Sequence, residues 1–273
     1  MLSFPNCKIN LGLHIVGKRA DGFHNLETVF YPVAFKDALE LIPAINSSTQ
    51  IEFTGTGLAV DGDIADNLCV KAYHLLKKDF PELPAIKVHL HKTIPMGAGL
   101  GGGSADASFM LNMLNDKFKL NLLTSQLVTY ALQLGSDCPF FIINKPCYAT
   151  GRGEILEEIK VDLSAYKIVL INPGFQVNTG WAFSNISPAP IKKPVKEIVQ
   201  QPVETWKHEL KNDFEEPVFT AHPQIKEIKE SLYNQCAIYA ALSGSGSTVF
   251  GIFEQNTGSI TSKDGNYFIK IIN

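Results

Sequence analysis

A globular protein that mixes strands and helices in two domains is what this sequence predicts. Three observations carry the expectation. The chain has 273 residues, more than the roughly 100–150 of a common single domain, so two domains or one large one are the natural outcomes. Its apolar residues alternate in some segments and recur at helical spacing in others, with no internal repeat. Hydrophobic residues at 45% and charged residues at 19% lie near the globular average, which argues against extended disorder and fibrous architecture.

Along the chain, Cys7, Ile9, Leu11, Leu13 and Ile15 share one face of a predicted strand, while Lys8, Asn10, Gly12 and His14 share the other. That second face is polar and available for chemistry. Turn residues at Gly17–Gly22 and a returning strand at Leu26–Val33 make an opening hairpin. Further strands are expected at Ala38–Ile42 and Ile51–Thr54, then a helix at Asn67–Lys78 with Asp66 as its N-cap. Ile86, Val88 and Leu90 alternate with polar residues in a strand that runs directly into the stretch Pro95–Ser104. Helices follow at Ala105–Leu114 and Thr124–Leu134, the second closed by Gly135.

A hairpin over Cys147–Ile159 turns at Gly151-Arg152-Gly153, and Lys167–Ile171 reads as a buried strand. A seam near residue 150 divides the chain into 1–150 and 151–273. Ser187–Pro202 reads as a loop, Gln224–Tyr233 as a helix, and Ile238–Leu242, Thr248–Phe253 and Tyr267–Ile271 as strands.

A formal net charge of -3 with scattered Lys and Arg predicts no nucleic-acid partner, which leaves a basic domain or stripe as its footprint. No apolar stretch has the form of a signal peptide or the length of a membrane span, so a cytoplasmic protein with no membrane association is expected. Five cysteines, odd in number and without a CxxC pair, indicate neither a disulfide framework nor a zinc site. Cys138 reads as a small buried thiol.

The chemistry concentrates in Pro95-Met96-Gly97-Ala98-Gly99-Leu100-Gly101-Gly102-Gly103-Ser104. Each glycine raises the entropy cost of folding, and close backbone approach is the physical reason for so many ahead of a helix. Consecutive N–H groups there form an anion-binding nest, and the helix adds its own N–H groups and positive dipole end. Phosphate is the expected guest. Gly97, Gly99 and Gly102 also satisfy G-x-G-x-x-G, but a dinucleotide fold needs a strand ending in an acid about 20 residues on, where Asn121–Gln126 starts a helix instead. A Walker A Gly-Lys-Ser/Thr is absent, as are the H-R-D and D-F-G of protein kinases.

This stretch resembles the P-x-x-x-G-L-G-S/G-S loop of the GHMP kinases, the superfamily of galactokinase, homoserine kinase and mevalonate kinase. Cys7–Leu11 with Arg19–His24, and Gly135–Phe141, are similar to the corresponding segments of the GHMP kinases that act on 4-diphosphocytidyl-2-C-methyl-D-erythritol in the non-mevalonate isoprenoid pathway. Asn172-Pro173-Gly174 and Ser243–Gly246 extend the likeness more loosely into the second half. The resemblance implies the two-domain α+β GHMP kinase architecture, with a ribosomal-protein-S5-like N-terminal domain over 1–150 and a ferredoxin-like C-terminal domain over 151–273. It implies transfer of the ATP γ-phosphate, with Mg2+, to the 2-hydroxyl of the cytidine-diphosphate-linked methylerythritol, and no obligate protein partner. The alternatives are a GHMP kinase for another small alcohol and a nicotinamide-binding oxidoreductase.

The same resemblance assigns roles. Asp137, by composition a turn residue capping local N–H groups, becomes the general base. Lys8, otherwise a solvated strand lysine, becomes the cation that assists it and neutralises the moving phosphoryl group. Asn10 is implied to contact a substrate hydroxyl. Residues Pro95 to Ser104 and Ala105 hold the nucleotide, joined by Asn67 and Lys92, which otherwise read as a helix-start residue and a surface charge. Ser104 is both an N-cap candidate and the Mg2+ ligand. Phe23 and His24 correspond to the cytosine site, with Phe183 as a second stacking ring or a core residue. Three departures stand out: Phe23 where tyrosine is commoner, Ala105 where many relatives have serine, and Asp106 where many have asparagine. Asp106 is expected to face away from the phosphates or to contact the protein.

Overall fold

The computed structural model describes residues 1–44, 48–60, 62–188, 193–262 and 264–273. The chain opens with strands β1 (Leu2–Ser3), β2 (Asn6–Lys18), β3 (His24–Lys36), β4 (Ala38–Pro43) and β5 (Ile51–Gly57). Helix α1 (Leu68–Asp79), strand β6 (Ile86–Lys92) and helices α2 (Gly102–Phe118), α3 (Thr124–Leu134) and α4 (Cys138–Ile143) follow. Then come β7 (Cys147–Thr150), β8 (Ile155–Glu158), β9 (Tyr166–Asn172), α5 (Thr179–Ser184), α6 (Val195–Ile198), α7 (Val203–Glu209), α8 (Glu215–Ala221) and α9 (Pro223–Asn234). Strands β10 (Tyr239–Leu242), β11 (Val249–Glu254) and β12 (Phe268–Ile272) close the chain.

The chain forms two compact units, each discontinuous. One comprises Met1–Cys7, Ala34–Met96 and Gly101–Lys145; the other comprises Lys8–Val33, Gly97–Leu100 and Pro146–Asn273.

In the first unit the sheet order is β1-β4-β6-β5. Strands β5 and β6 are parallel, while β4 pairs antiparallel with both β1 and β6. A parallel pair needs a crossover, and α1 supplies it. Leu39, Leu41, Val88 and Leu90 pack with Tyr73 and Leu76 of α1 and Met110 and Leu111 of α2. Glu40, Lys87 and His91 take the alternate, exposed positions of the same strands. Helix α1 is capped by Asn67, whose Oδ1 accepts from Cys69 N at 2.9 Å. Asp66, the predicted cap, belongs instead to a short 3-10 turn over Ile64–Asp66. Helix α2 starts earlier than predicted, at Gly102, because glycine's low helix propensity hides the first turn.

The second unit carries two sheets, ordered β2-β3-β7-β8 and β10-β11-β9-β12, the latter antiparallel throughout. Leu13, Ile15, Val169, Ile171, Leu242 and Val249 share a core with Phe214 and with Ile225, Ile228 and Leu232 of α9. The polar face expected on β2 is not solvated: Lys8 is 3% exposed and Asn10 1%. The segment Gly97–Leu100 covers it, with Lys8 N donating to Leu100 O at 3.0 Å. Within the predicted loop Ser187–Pro202, residues 189–192 lie outside the described residues, and α6 forms behind Pro194 because Val195 and Ile198 are both buried. Helices α4, α5, α7 and α8 have six or seven residues each, too few for a helical period to be read from sequence.

Leu111→Ala should destabilise the protein by about 2–5 kcal/mol, because it opens a cavity in a fully buried position. Leu132→Ala, at a site 38% exposed on α3, should cost about 0.5 kcal/mol or less. Urea unfolding of the two variants checks the contrast.

Candidate active site

Gly97, Gly99 and Gly101 hold φ values of 60°, 77° and 70°, the left-handed region where only glycine is unstrained. Gly99 has a second reason. A Cβ there would lie 1.9 Å from the carbonyl oxygen of Ser243, so the backbone of the second glycine loop, Ser243–Gly246, occupies the space a side chain would need. Ser243 Oγ donates to Gly99 O at 2.8 Å, and Thr248 N donates to Ala98 O at 3.2 Å. Asn212 Nδ2 in turn donates to Leu242 O and Gly244 O, both at 2.8 Å. The sequence alone gave no signal for Asn212, which lies 30 residues before its nearer partner.

Lys8 and Asn10 meet this arrangement from β2. Lys8 Nζ donates to Asn10 Oδ1 at 2.6 Å and to Gly99 O at 3.1 Å, and lies 5.1 Å from the centre of the Phe30 ring. Asn10 Nδ2 donates to Thr28 Oγ1 at 3.0 Å. An ammonium group is thereby desolvated and aimed at a carbonyl of the glycine loop, where charge acts more strongly than in water.

In the first unit, Gly101 precedes α2 in the left-handed region, and no side chain caps the helix. Ala105 is fully buried, and its N–H makes a helical bond to Gly101 O at 2.9 Å. Gly103 differs from the other glycines of the stretch. A Cβ on it would meet only Leu68 Cδ1, at 3.9 Å, so protein packing does not require glycine there. Ser108 Oγ donates both to Ser104 O and to Cys138 O, each at 2.8 Å, which ties α2 to the start of α4. Asp137 is the residue just before α4, and its side chain does not cap that helix. Burial pushes the Cys138 thiol up to about 11, as an inert buried cysteine requires.

The same unit holds a cavity of ≈ 380 Å³, lined by Asn67, Met96, Gly103 and Asp106 among apolar residues such as Phe53 and Leu68. That size and lining fall in the range of small-molecule sites. Beside it, Lys92 is not a surface charge: its ammonium is fully buried, donating to Asp37 Oδ2 and, at 2.8 Å, to Asp106 Oδ2. Asp106 therefore contacts the protein, as expected. Burial raises its carboxyl to about 7, with Lys92 opposing and Asp37 adding to the rise. Burial works against the charge on Lys92, but Asp106 and Asp37 outweigh it and raise its pKa.

In the second unit His24 stacks on Phe183 with ring centres 5.1 Å apart and an interplanar angle of 16°. Phe183 also meets Phe214 edge-on at 4.9 Å, so it serves the core and the stack together. Phe23 is 54% exposed, with the Arg152 guanidinium 4.8 Å from its ring centre. Arg152 escaped the sequence reading because it sits in what looked like an ordinary hairpin turn.

The profile of the GHMP kinases N terminal domain matches residues 67–145, and that of the GHMP kinases C terminal domain matches residues 195–261. The 4-diphosphocytidyl-2-C-methyl-D-erythritol kinase of Bacteroides thetaiotaomicron is 52% identical over 254 residues, covering 93% of this chain and 92% of that protein. The chain belongs to this family of GHMP kinases. The corresponding kinase of Cytophaga hutchinsonii is 48% identical over 270 residues, covering 96% and 98%. A crystal structure of 4-(cytidine 5'-diphospho)-2C-methyl-D-erythritol kinase matches with a TM-score of 0.79 at 30% identity, covering 92% of this chain and 90% of that one. Methanococcus jannaschii mevalonate kinase, with a TM-score of 0.70 at 13% identity over 94% of this chain and 92% of that one, shares the fold.

The protein is thus an ATP-dependent small-molecule kinase with the α+β fold of that family. The nicotinamide reading of G-x-G-x-x-G falls with this, and α2 is followed by another helix, α3, rather than a strand. Among the described residues no helix is long and apolar enough to cross a membrane.

Gly99→Ala should lower the melting temperature by several degrees and abolish most activity, since its Cβ collides with backbone rather than with a movable side chain. Gly258→Ala, which meets nothing within 4 Å, should leave both unchanged in the same thermal-melt and turnover assays.

Proposed function

We propose that this kinase phosphorylates the 2-hydroxyl of 4-diphosphocytidyl-2-C-methyl-D-erythritol in non-mevalonate isoprenoid precursor synthesis. The observation that carries the reading is the identity of 48 to 52%, along more than nine-tenths of the chain, to relatives named for that substrate. The stack of His24 on Phe183, with Phe23 exposed beside it, supports a cytosine site built from these three rings. Stacking uses only the ring face, so phenylalanine in place of the commoner tyrosine is compatible with it.

Phosphoryl transfer asks for positioning and charge stabilisation more than for covalent help. Asp137 accepts the proton of the 2-hydroxyl as its oxygen attacks the γ-phosphorus, the bond to the β,γ-bridging oxygen breaks, and ADP leaves. Lys8 supplies positive charge to the moving phosphoryl group, and Asn10 holds the acceptor hydroxyl. Pro95 to Ala105 cradle the phosphates on the first-turn N–H groups of α2. Gly103, whose missing side chain no protein contact explains, leaves the room a phosphate needs. The base of the nucleotide takes the cavity lined by Asn67 and Met96.

Among the described residues no cluster of three His, Cys, Asp or Glu side chains is arranged to hold a metal ion. A single hydroxyl at a helix start fits Mg2+, which keeps water and phosphate oxygens as most of its ligands. Ser104 would hold it, and when bound it neutralises charge on the phosphates. The division into kinase domains over 1–150 and 151–273 belongs to the same proposal. So does a cytoplasmic setting, whose reducing conditions suit five free thiols.

Offered ATP and Mg2+ with a panel of alcohols, the enzyme should phosphorylate the cytidylated methylerythritol and leave its uncytidylated form, mevalonate and homoserine essentially untouched. Equal turnover of the uncytidylated alcohol would overturn the cytosine site. Asp137→Asn should lower kcat by about 10²- to 10⁴-fold while ATP binding, followed by calorimetry, stays near wild type.

A further inference from the structure

We propose that Lys92, Asp37 and Asp106 are positioning residues, forming a buried charge brace that holds both ends of the glycine loop and thereby sets where the nucleotide phosphates bind. The inference rests on the reading that Pro95–Ser104 cradles those phosphates.

The three side chains are 0%, 0% and 4% exposed. Lys92 is the last residue of β6, immediately before the loop. Its Nζ donates to Asp37 Oδ2 and to Asp106 Oδ2, the latter at 2.8 Å. Asp106 stands one turn into α2, immediately after the loop. Asp37, between β3 and β4, uses its other oxygen to accept from Thr93 N at 2.6 Å and Ile94 N at 2.8 Å. Its own N–H is fixed by Pro5 O at 2.8 Å. One carboxylate therefore grips Thr93 and Ile94, which lead into the loop, the other grips the helix that follows, and the ammonium joins them.

The brace also dictates a residue. A Cβ on Gly102 would lie 2.9 Å from Lys92 Nζ and 2.9 Å from Ile94 Cγ2, so the first residue of α2 is glycine because the brace passes there.

Stability is a poor explanation for this arrangement. Two carboxylates share one ammonium out of contact with water, and Asp106 Oδ1 has no hydrogen-bond partner among the described residues. Buried ion pairs are often no better for stability than well-packed apolar residues of similar volume, whereas they do impose geometry. The geometry imposed here is the spacing between the end of β6 and the first turn of α2. Lys92 accordingly acts on the nucleotide through the loop, its ammonium being spent on carboxylates.

The test is the double variant Lys92→Met/Asp106→Leu, with Asp106→Asn as the milder change should the double variant fail to fold. Thermal melting establishes that each is folded. Steady-state kinetics should then show KM for ATP raised roughly tenfold or more in the double variant, because a displacement near 1 Å is worth up to about 10²-fold, and raised less in Asp106→Asn. KM for the alcohol substrate should stay at the wild-type value. A merely structural role would lower the active fraction, and with it kcat, without this split. A folded variant with wild-type KM for ATP, a change confined to kcat, or a parallel rise in both KM values would overturn the brace.

Gly103→Val separates this from the reading beneath it, since a Cβ at Gly103 makes only an ordinary contact with Leu68 among the described residues. If that variant raises KM for ATP and the brace variants do not, the brace alone fails. If Gly103→Val leaves KM for ATP unchanged, the loop does not cradle the phosphates and both fall.

Discussion

At Gly99 the carbonyl oxygen of Ser243 comes within 1.9 Å of where a side chain would begin. The two glycine-rich segments can lie this close because Gly99 has no side chain. Each then satisfies the other's backbone, through Ser243 Oγ to Gly99 O and Thr248 N to Ala98 O. Much of the second unit serves that contact. Asn212 holds the carbonyls of Leu242 and Gly244, and Asn172 reaches the hydroxyls of Ser247 and Thr248. Lys8 and Asn10 are buried in a strand face that would otherwise be solvated, because the first glycine segment covers it.

Burying cations is costly, and among the described residues Lys8 and Lys92 are both buried. Lys8 is directed at the carbonyl of Gly99 and rests near the face of Phe30, so its charge lies beside the backbone that the proposed reading gives to the phosphates. Lys92 is enclosed between Asp37 and Asp106, where its charge is met by carboxylates of the chain itself. Residue type and motif position do not separate the two uses. The partners do.

The glycines divide in the same way. Gly97, Gly99 and Gly101 are demanded by φ, Gly99 also by a backbone neighbour, and Gly102 by the ammonium of Lys92. At Gly103 a Cβ would make only an ordinary contact with Leu68 among the described residues.

Long elements were legible because their periods were long enough to read: β2 and β6 by alternation, and α3 at its observed bounds of Thr124 and Leu134. The six- and seven-residue helices were not, and the start of α2 was masked by its glycines. In the site, the density of glycine before a helix raised the expectation of phosphate binding, and the resemblance supplied the family. The sequence by itself thus determined the family and with it the class of chemistry, because the glycine-rich stretch ahead of a helix is a local pattern that can be read without the fold. Only the tertiary structure decided that Lys8 is buried, that Lys92 is joined to a carboxylate 55 residues away, and that His24 finds Phe183. Those depend on which distant segments meet, and what a charge or a ring does follows from what surrounds it.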